Sequence, residues 1–257
     1  MLNEIVETKK KQLEDIDQQG EIDKIKDKID DLPPTVSLKN SLIKDNSISI
    51  IAEIKRCSPS KGILAENLQV DKMTKIYQQA GASAISVLTE ELYFNGSIDD
   101  LKTVKQNTTL PVLRKDFILE EYQIWESRSI GADAILLIVG LLAPAKLSHY
   151  SLLAEHLGLD VLFEVHNEYE LEGLMLVSPQ IVGINNRDLK TFEVNLKTAE
   201  TLAANIPTDV IRVGESGIHN RDDIIRMENT CLDAVLIGEG IITAVDPAKK
   251  IMELLGK

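Results

Sequence analysis

The chain carries only two cysteines, Cys57 and Cys231, and four histidines in 257 residues. Two thiols are too few for a disulfide framework, and they lack the spacing of a zinc site. His149, His156, His166 and His219 form no H-x-x-x-H pair. Glu164-x-His166 offers two ligands on one face but no third, so no metal is expected. Basic residues are in deficit, with 28 Lys+Arg against 41 Asp+Glu and a net charge of −13. Such a chain lacks the basic face that binding a phosphate backbone requires, which excludes nucleic acid as a partner. Long apolar runs are missing too. The longest, 134–145, is interrupted by Gly140 and Pro144 and falls short of the ~20 residues that span a bilayer. The opening M-L-N-E-I-V-E-T-K-K-K-Q has no apolar core of a signal peptide. These absences predict a cytoplasmic protein with no membrane partner. What is present is a 44% apolar fraction, enough for a sizeable core. A length near ~250 residues suits one α/β barrel or two smaller domains.

Residues 1–47 have their own pattern. Leu2, Ile5, Val6, Leu13 and Ile16, then Ile22, Ile25 and Ile29, recur at helical spacing amid dense charge, until Leu32-Pro33-Pro34 breaks the run. We read one or two amphipathic helices that must dock their apolar stripe on another surface, either as a solvated helical extension or as a cover over the main domain. From residue 48 to 257 the rhythm changes. Short apolar, β-branched runs fall at 48–54, 84–88, 110–113, 134–139, 161–165, 181–184, 210–213 and 234–237. Helix-like stretches such as 120–130 and 143–157 lie between them, each followed by a stop glycine. Strands apolar on both faces belong in a parallel sheet covered on both sides. Eight strand–helix units favour a (β/α)8 TIM barrel over a doubly wound sheet, because no G-x-G-x-x-G follows the first strand.

Chemistry in such barrels sits at the carboxyl ends of the strands. Seven of the eight ends carry polar or charged residues: Glu53 and Lys55, Thr89 to Glu91, Lys115 and Asp116, Glu164 and His166, Asn185 and Arg187, Glu215 and Ser216, Gly238 and Glu239. Gly214-Glu215-Ser216-Gly217 and Gly238-Glu239-Gly240 follow the last two strands, where barrels often hold a phosphate on backbone N–H groups. Taken alone, either loop is an ordinary tight turn. Together, with Lys55 and Ser58 opposite, they favour an anionic phosphorylated ligand. The cations Lys55, Arg56, Lys61, Lys115 and Arg187 gathered at one face predict a local positive field. Glu53 and Lys55 are two apart and point to one side of a strand. Lys115 and Glu164 end the third and fifth strands, which share layers with the first. Two carboxylates and two ammonium groups form an acid–base set, or else a buried ion-pair network. Cys57 and Trp125 read as packing residues.

The motifs resemble those of the indole-3-glycerol-phosphate synthase family. They are I-A-E-I-K-R-C-S-P-S-K-G at 51–62, L-T-E at 88–90 with Y-F-N-G-S at 93–97, and L-R-K-D-F at 113–117. F-E-V-H at 163–166, I-N-N-R-D-L at 184–189 and G-E-S-G-I at 214–218 complete them. The resemblance implies a (β/α)8 barrel over residues 48–257, with residues 1–47 as an N-terminal helical extension over its catalytic mouth. It further implies cofactor-free conversion of 1-(2-carboxyphenylamino)-1-deoxyribulose 5-phosphate to indole-3-glycerol phosphate in tryptophan biosynthesis. By the same resemblance Lys115 is the general acid for ring closure. Glu164 and Glu53 stabilise the cationic intermediate and serve later proton transfers. Lys55 binds substrate and donates the proton for dehydration, and Asn185 holds a sugar hydroxyl. Arg187, Glu215 and Ser216 border the site. Ser58, Gly217, Gly238 and the backbone of Glu239 grip the phosphate. Leu113, Phe117, Leu136 and Leu189 clasp the anthranilate ring. Glu239 departs from the family pattern, which often has Ser there, so its carboxylate is expected to point away. The substrate is the one partner expected, with a monomer favoured over an oligomer. Rival readings are another phosphosugar barrel, either an isomerase or a Schiff-base aldolase using Lys115, and a non-catalytic phosphosugar-binding barrel.

Overall fold

The computed structural model describes residues 2–29, 31–44, 47–188 and 191–257. Eight strands form a closed, all-parallel barrel: β1 (Ser49–Ile54), β2 (Ala84–Leu88), β3 (Val112–Lys115), β4 (Ala134–Ile138), β5 (Asp160–Val165), β6 (Ile181–Asn185), β7 (Ile211–Glu215) and β8 (Ala234–Ile237). Each pairs with its sequence neighbours, and β8 returns to β1 in the register Ser49↔Ala234 to Ala52↔Ile237. Nearly every strand residue is buried, because helices cover the outside while side chains fill the inside.

The inside is layered. Ile51, Leu113, Leu162 and Val213, all from odd-numbered strands, belong to one buried apolar cluster. Two residues further along the same strands, on the same face, stand Glu53, Lys115, Glu164 and Glu215. The topmost inward layer of the odd strands is therefore wholly ionisable, and it rests on an apolar floor. Gly183 of β6 makes room for it, since a Cβ there would overlap the Glu215 carboxylate and approach Leu162 Cδ1 to 3.2 Å.

Among the described residues the N-terminal segment holds three helices. In α1 (Leu2–Glu14), Lys9 Nζ makes a 2.8 Å ion pair with Asp116 just past β3, and the Thr8 hydroxyl meets the Tyr93 hydroxyl at 3.1 Å. This helix lies at the carboxyl ends of the strands. Along the side of the barrel, α2 (Gln18–Ile29) packs on α4 (Glu121–Ser129), with Lys26 Nζ 5.1 Å from the Trp125 ring centroid. The third helix, α3 (Leu38–Leu42), sits at the opposite end of the barrel. Leu38 and Leu42 are fully buried against Ala84, Ala134, Ile181 and Ala234, the residues nearest the strand starts. Asp160 fixes α3 by accepting from the Ser37 hydroxyl and the Lys39 backbone N–H. The extension thus grips both ends of the barrel.

Candidate active site

The acid–base layer lies under a cleft at the strands' carboxyl ends. Lys115 Nζ is 2.7 Å from Glu215 Oε2 and 3.5 Å from Glu53 Oε2, and Lys55 Nζ is 2.6 Å from Glu53 Oε1. Asn185 donates to Glu164 Oε1 at 3.1 Å. Glu53, Glu164 and Glu215 are 2%, 3% and 1% exposed, so their ionisation is governed by neighbours rather than by bulk water. Burial works against the charge of Lys115, but Glu215, Glu53 and Glu164 outweigh it and hold the ammonium well above the ordinary lysine range. Burial likewise pushes Glu53 up, and Lys55 and Lys115 reverse this, leaving it below the usual carboxylate range. For Glu215, burial together with the charges of Glu164 and Glu53 prevails over Lys115 and raises the carboxyl to about 7. Carboxylates of one layer are thereby set to different proton affinities.

The cleft has two chemically different walls. One is apolar: Phe117, Leu136, Ile138 and Phe94 face it, with Leu2 and Ile5 of α1. The Phe94 and Phe117 rings meet at 6.2 Å in a tilted pair. Phe94 is held by Glu90, whose carboxylate accepts the backbone N–H groups of Leu92, Tyr93 and Phe94. The other wall is built from Ser58, Ser216, Gly217, Gly238, Glu239 and Gly240. Ser216 and Gly217 both have positive φ, 64° and 81°, which turns the chain sharply after β7. Gly238 precedes α6 (Glu239–Ile242), and a Cβ on it would overlap Glu53 Oε1 and stand 2.9 Å from Lys55 Nζ. The Ser58 hydroxyl is buried without a hydrogen-bond partner among the described residues. Arg187 borders the cleft with its guanidinium on the Phe192 carbonyl at 3.1 Å. The Glu239 carboxylate faces Lys61, 3.6 Å away.

Most residues singled out in the sequence converge on this cleft. Leu113 does not. It lies in the apolar layer beneath Lys115, fully buried, two residues deeper than the cleft floor, so it supports the site from below rather than lining it. Glu215 is covered by its neighbours and meets the cleft through Lys115. Leu189 lies outside the described residues. Sequence reasoning missed Phe94, Ile138, Phe192, Leu2 and Ile5 as lining residues. The apolar stripe of the first helix was visible, but nothing in the sequence told which of its residues face the cleft.

Fold and site together define a (β/α)8-barrel enzyme with acid–base groups and a glycine-rich wall at the strand ends. A family model described as indole-3-glycerol phosphate synthase matches residues 2–254. The chain belongs to that family. It is 41% identical over 256 residues to indole-3-glycerol phosphate synthase of Desulforamulus reducens, covering 99% of this chain and 97% of that protein. It is 51% identical over 204 residues to the Caldanaerobacter subterraneus subsp. tengcongensis protein of the same name, covering 79% of each. Among solved structures, 3-hexulose-6-phosphate synthase from Salmonella typhimurium shares the fold, with a TM-score of 0.67 at 12% identity over 81% of this chain and 97% of that one.

Proposed function

We propose that the barrel converts 1-(2-carboxyphenylamino)-1-deoxyribulose 5-phosphate to indole-3-glycerol phosphate, carbon dioxide and water, with the acid–base layer as its proton machinery. The family is one of carboxy-lyases in tryptophan biosynthesis, and the chemistry can be followed proton by proton. The ring carbon bearing the carboxylate attacks the sugar carbonyl carbon, whose oxygen takes up one proton. Carbon dioxide leaves and the electrons of its bond restore the aromatic ring. The new hydroxyl then departs as water with a second proton, while a base removes one proton from the adjacent CH₂ carbon. The sequence needs two acids and one base, and takes up one proton net.

Lys115 is the acid at the carbonyl: it holds its proton firmly at rest, in reach of the cleft. Lys55 is the second acid, and the ionised Glu164 and Glu53 stabilise the cationic intermediate and accept the CH₂ proton. Asn185, beside Glu164, holds a sugar hydroxyl. Positioned acids and bases of this kind typically contribute ~10²–10⁴ in rate each. Closing a flexible acyclic substrate requires both ends to be fixed. The phosphate is held by the Ser58 hydroxyl and the backbone N–H groups of Gly217, Gly238 and Glu239, with Arg187 and Ser216 at the rim. The aromatic ring lies against Phe117, Leu136, Phe94 and Ile138.

What carries this reading is the juxtaposition of the Glu53–Lys115–Glu164–Glu215 layer with one apolar and one glycine–serine wall. A plain ion-pair network does not account for the buried, unpartnered Ser58 hydroxyl. The test is incubation with the carboxyphenylamino-deoxyribulose phosphate while following indole fluorescence. Absence of the indole signal with a folded protein refutes the proposal. Borohydride trapping on Lys115 in the presence of substrate favours an aldolase instead.

A further inference from the structure

His166 follows β5 directly, two residues after Glu164, and is wedged between two carboxylates. Its Nε2 lies 3.0 Å from Glu164 Oε1 and its Nδ1 lies 3.0 Å from Glu170 Oε2. Glu170, in the first turn of α5 (Glu168–Met175), is itself fixed. Its Oε2 accepts the His166 backbone N–H at 2.8 Å, and its Oε1 accepts from the Asn167 amide at 2.9 Å. Gly140 leaves space for this carboxylate, since a Cβ there would stand 2.9 Å from Glu170 Oε1. The arrangement orients the imidazole through Nδ1 and aims the other nitrogen at Glu164.

Nε2 is buried and has no hydrogen-bond partner among the described residues, so its approach to Glu164 is off the hydrogen-bond axis. With Nδ1–H donated to Glu170, a neutral ring would present a lone pair to the Glu164 carboxylate, which is repulsive. A ring carrying both protons is attracted instead. We propose that His166, oriented by Glu170, is a positioning residue that keeps Glu164 ionised and ready to accept the proton lost in dehydration. The role rests on the reaction proposed above.

Other groups facing Glu164 are Asn185 from β6, Lys115 from β3 and Glu215 from β7. The first two favour its charge and Glu215 opposes it, so the imidazolium tips the balance. Burial pushes Glu164 up, but His166 first, then Lys115 and Asn185, bring it down to about 2. Burial opposes charge on His166 as well, and Glu164 and Glu170 overcome this, raising it to about 10.

The test is the pH dependence of kcat/KM for indole formation in the parent chain, His166→Gln and Glu170→Gln. A base must be deprotonated to act, so raising the Glu164 pKa moves the acidic limb to higher pH. For H166Q we expect that limb to rise by about one pH unit or more, a loss of about tenfold on the acidic side that recovers towards alkaline pH. E170Q moves it in the same direction by less, and it covers the case in which H166Q does not fold. Infrared titration of the Glu164 carboxyl, assigned by difference from Glu164→Gln, reads the same shift without substrate. Acidic limbs and carboxyl titrations that coincide with the parent's overturn the proposal. A parent chain that makes no indole product overturns the reaction instead, and the carboxyl titration then still decides whether His166 holds Glu164 ionised.

Discussion

Replacing Lys115 by methionine isolates the charge balance of the ionisable layer. Methionine keeps an unbranched apolar stem and removes the ammonium that lies 2.7 Å from Glu215 and 3.5 Å from Glu53. Deleting one partner of a buried ion pair typically costs ~3–5 kcal/mol, because a charge is left uncompensated. The cost is smaller where the orphaned carboxylate can take up a proton, and Glu215 is placed to do so, standing at about 7 even beside Lys115. A carboxyl whose folded pKa exceeds its unfolded value of 4.5 gives its full stability below that value and loses it as pH rises through the folded pKa. In the parent chain this loss ends near pH 7. In K115M the Glu215 pKa is higher still, so the loss continues into the alkaline range at ~1.4 kcal/mol per pKa unit. The stability gap between the two proteins is therefore flat below pH 7 and widens above it. Urea unfolding at pH 6 and pH 9 reads the gap directly. A gap of equal size at both values refutes the reasoning. In the same variant, turnover falls by ~10²–10⁴ at every pH if Lys115 is the acid, while calorimetric substrate binding is affected far less. Near-normal rates remove Lys115 from that role.

Three further outcomes follow from the fold. Leu38→Ala leaves a cavity at the end of the barrel remote from the cleft and costs ~2–5 kcal/mol in urea unfolding with kcat and KM unchanged; altered kinetics would show that the barrel floor is coupled to the site. Lys9→Met releases α1 from Asp116 and raises KM by about tenfold, the weight of a ~1.4 kcal/mol contact, with kcat retained; an unchanged KM reduces α1 to a stabilising appendage. Gly238→Ala forces Glu53 and Lys55 aside, and a displacement of ~1 Å at a reacting group costs about 10²-fold in kcat/KM; parental kinetics would mean that Glu53 relaxes without loss.

The barrel was legible because burial on both faces leaves a plain trace, eight runs without alternation. Observed strands agree with those runs to within two residues. The largest difference is β3, expected over 110–113 and found at Val112–Lys115. Its end is formed by Arg114 and Lys115, charged residues that an apolar count passes over. Arg114 is buried, held by Ser127, the Gln123 carbonyl, Asp116 and Glu126. Helix α3 was not legible, since five residues are too few for a period to appear, and its meaning lies in what Leu38 and Leu42 meet at the barrel floor. The place of Leu113 follows from strand geometry. Two residues are ~6–7 Å along a strand, so sharing a face with Lys115 does not mean sharing its depth. Phe94 depends on the Glu90 carboxylate gathering three backbone N–H groups, a tertiary arrangement with no periodic signal.

The gathering of cations at the mouth implied a local positive field, and their pairing changes that picture. Lys55 meets Glu53, Lys115 meets Glu215, Arg56 meets Asp100 and Lys61 faces Glu239. Four of the five cations are matched by carboxylates, so an anion cannot be drawn in by surplus charge from them. In the reaction proposed above, its grip falls to groups that carry no carboxylate partner among the described residues: the Arg187 guanidinium, the Ser58 hydroxyl and the backbone N–H groups of the turns after β7 and β8. The matched pairs serve a different end. Within one buried layer, Glu164 is pulled down and Glu215 pushed up while Lys115 is held protonated. Titratable groups driven apart by their surroundings are how one site supplies both acid and base near neutral pH. The chain's excess of acidic residues is thus no obstacle to an anionic substrate. On the proposed reading, binding rests on directed dipoles and one guanidinium, and the paired charges are left to move protons.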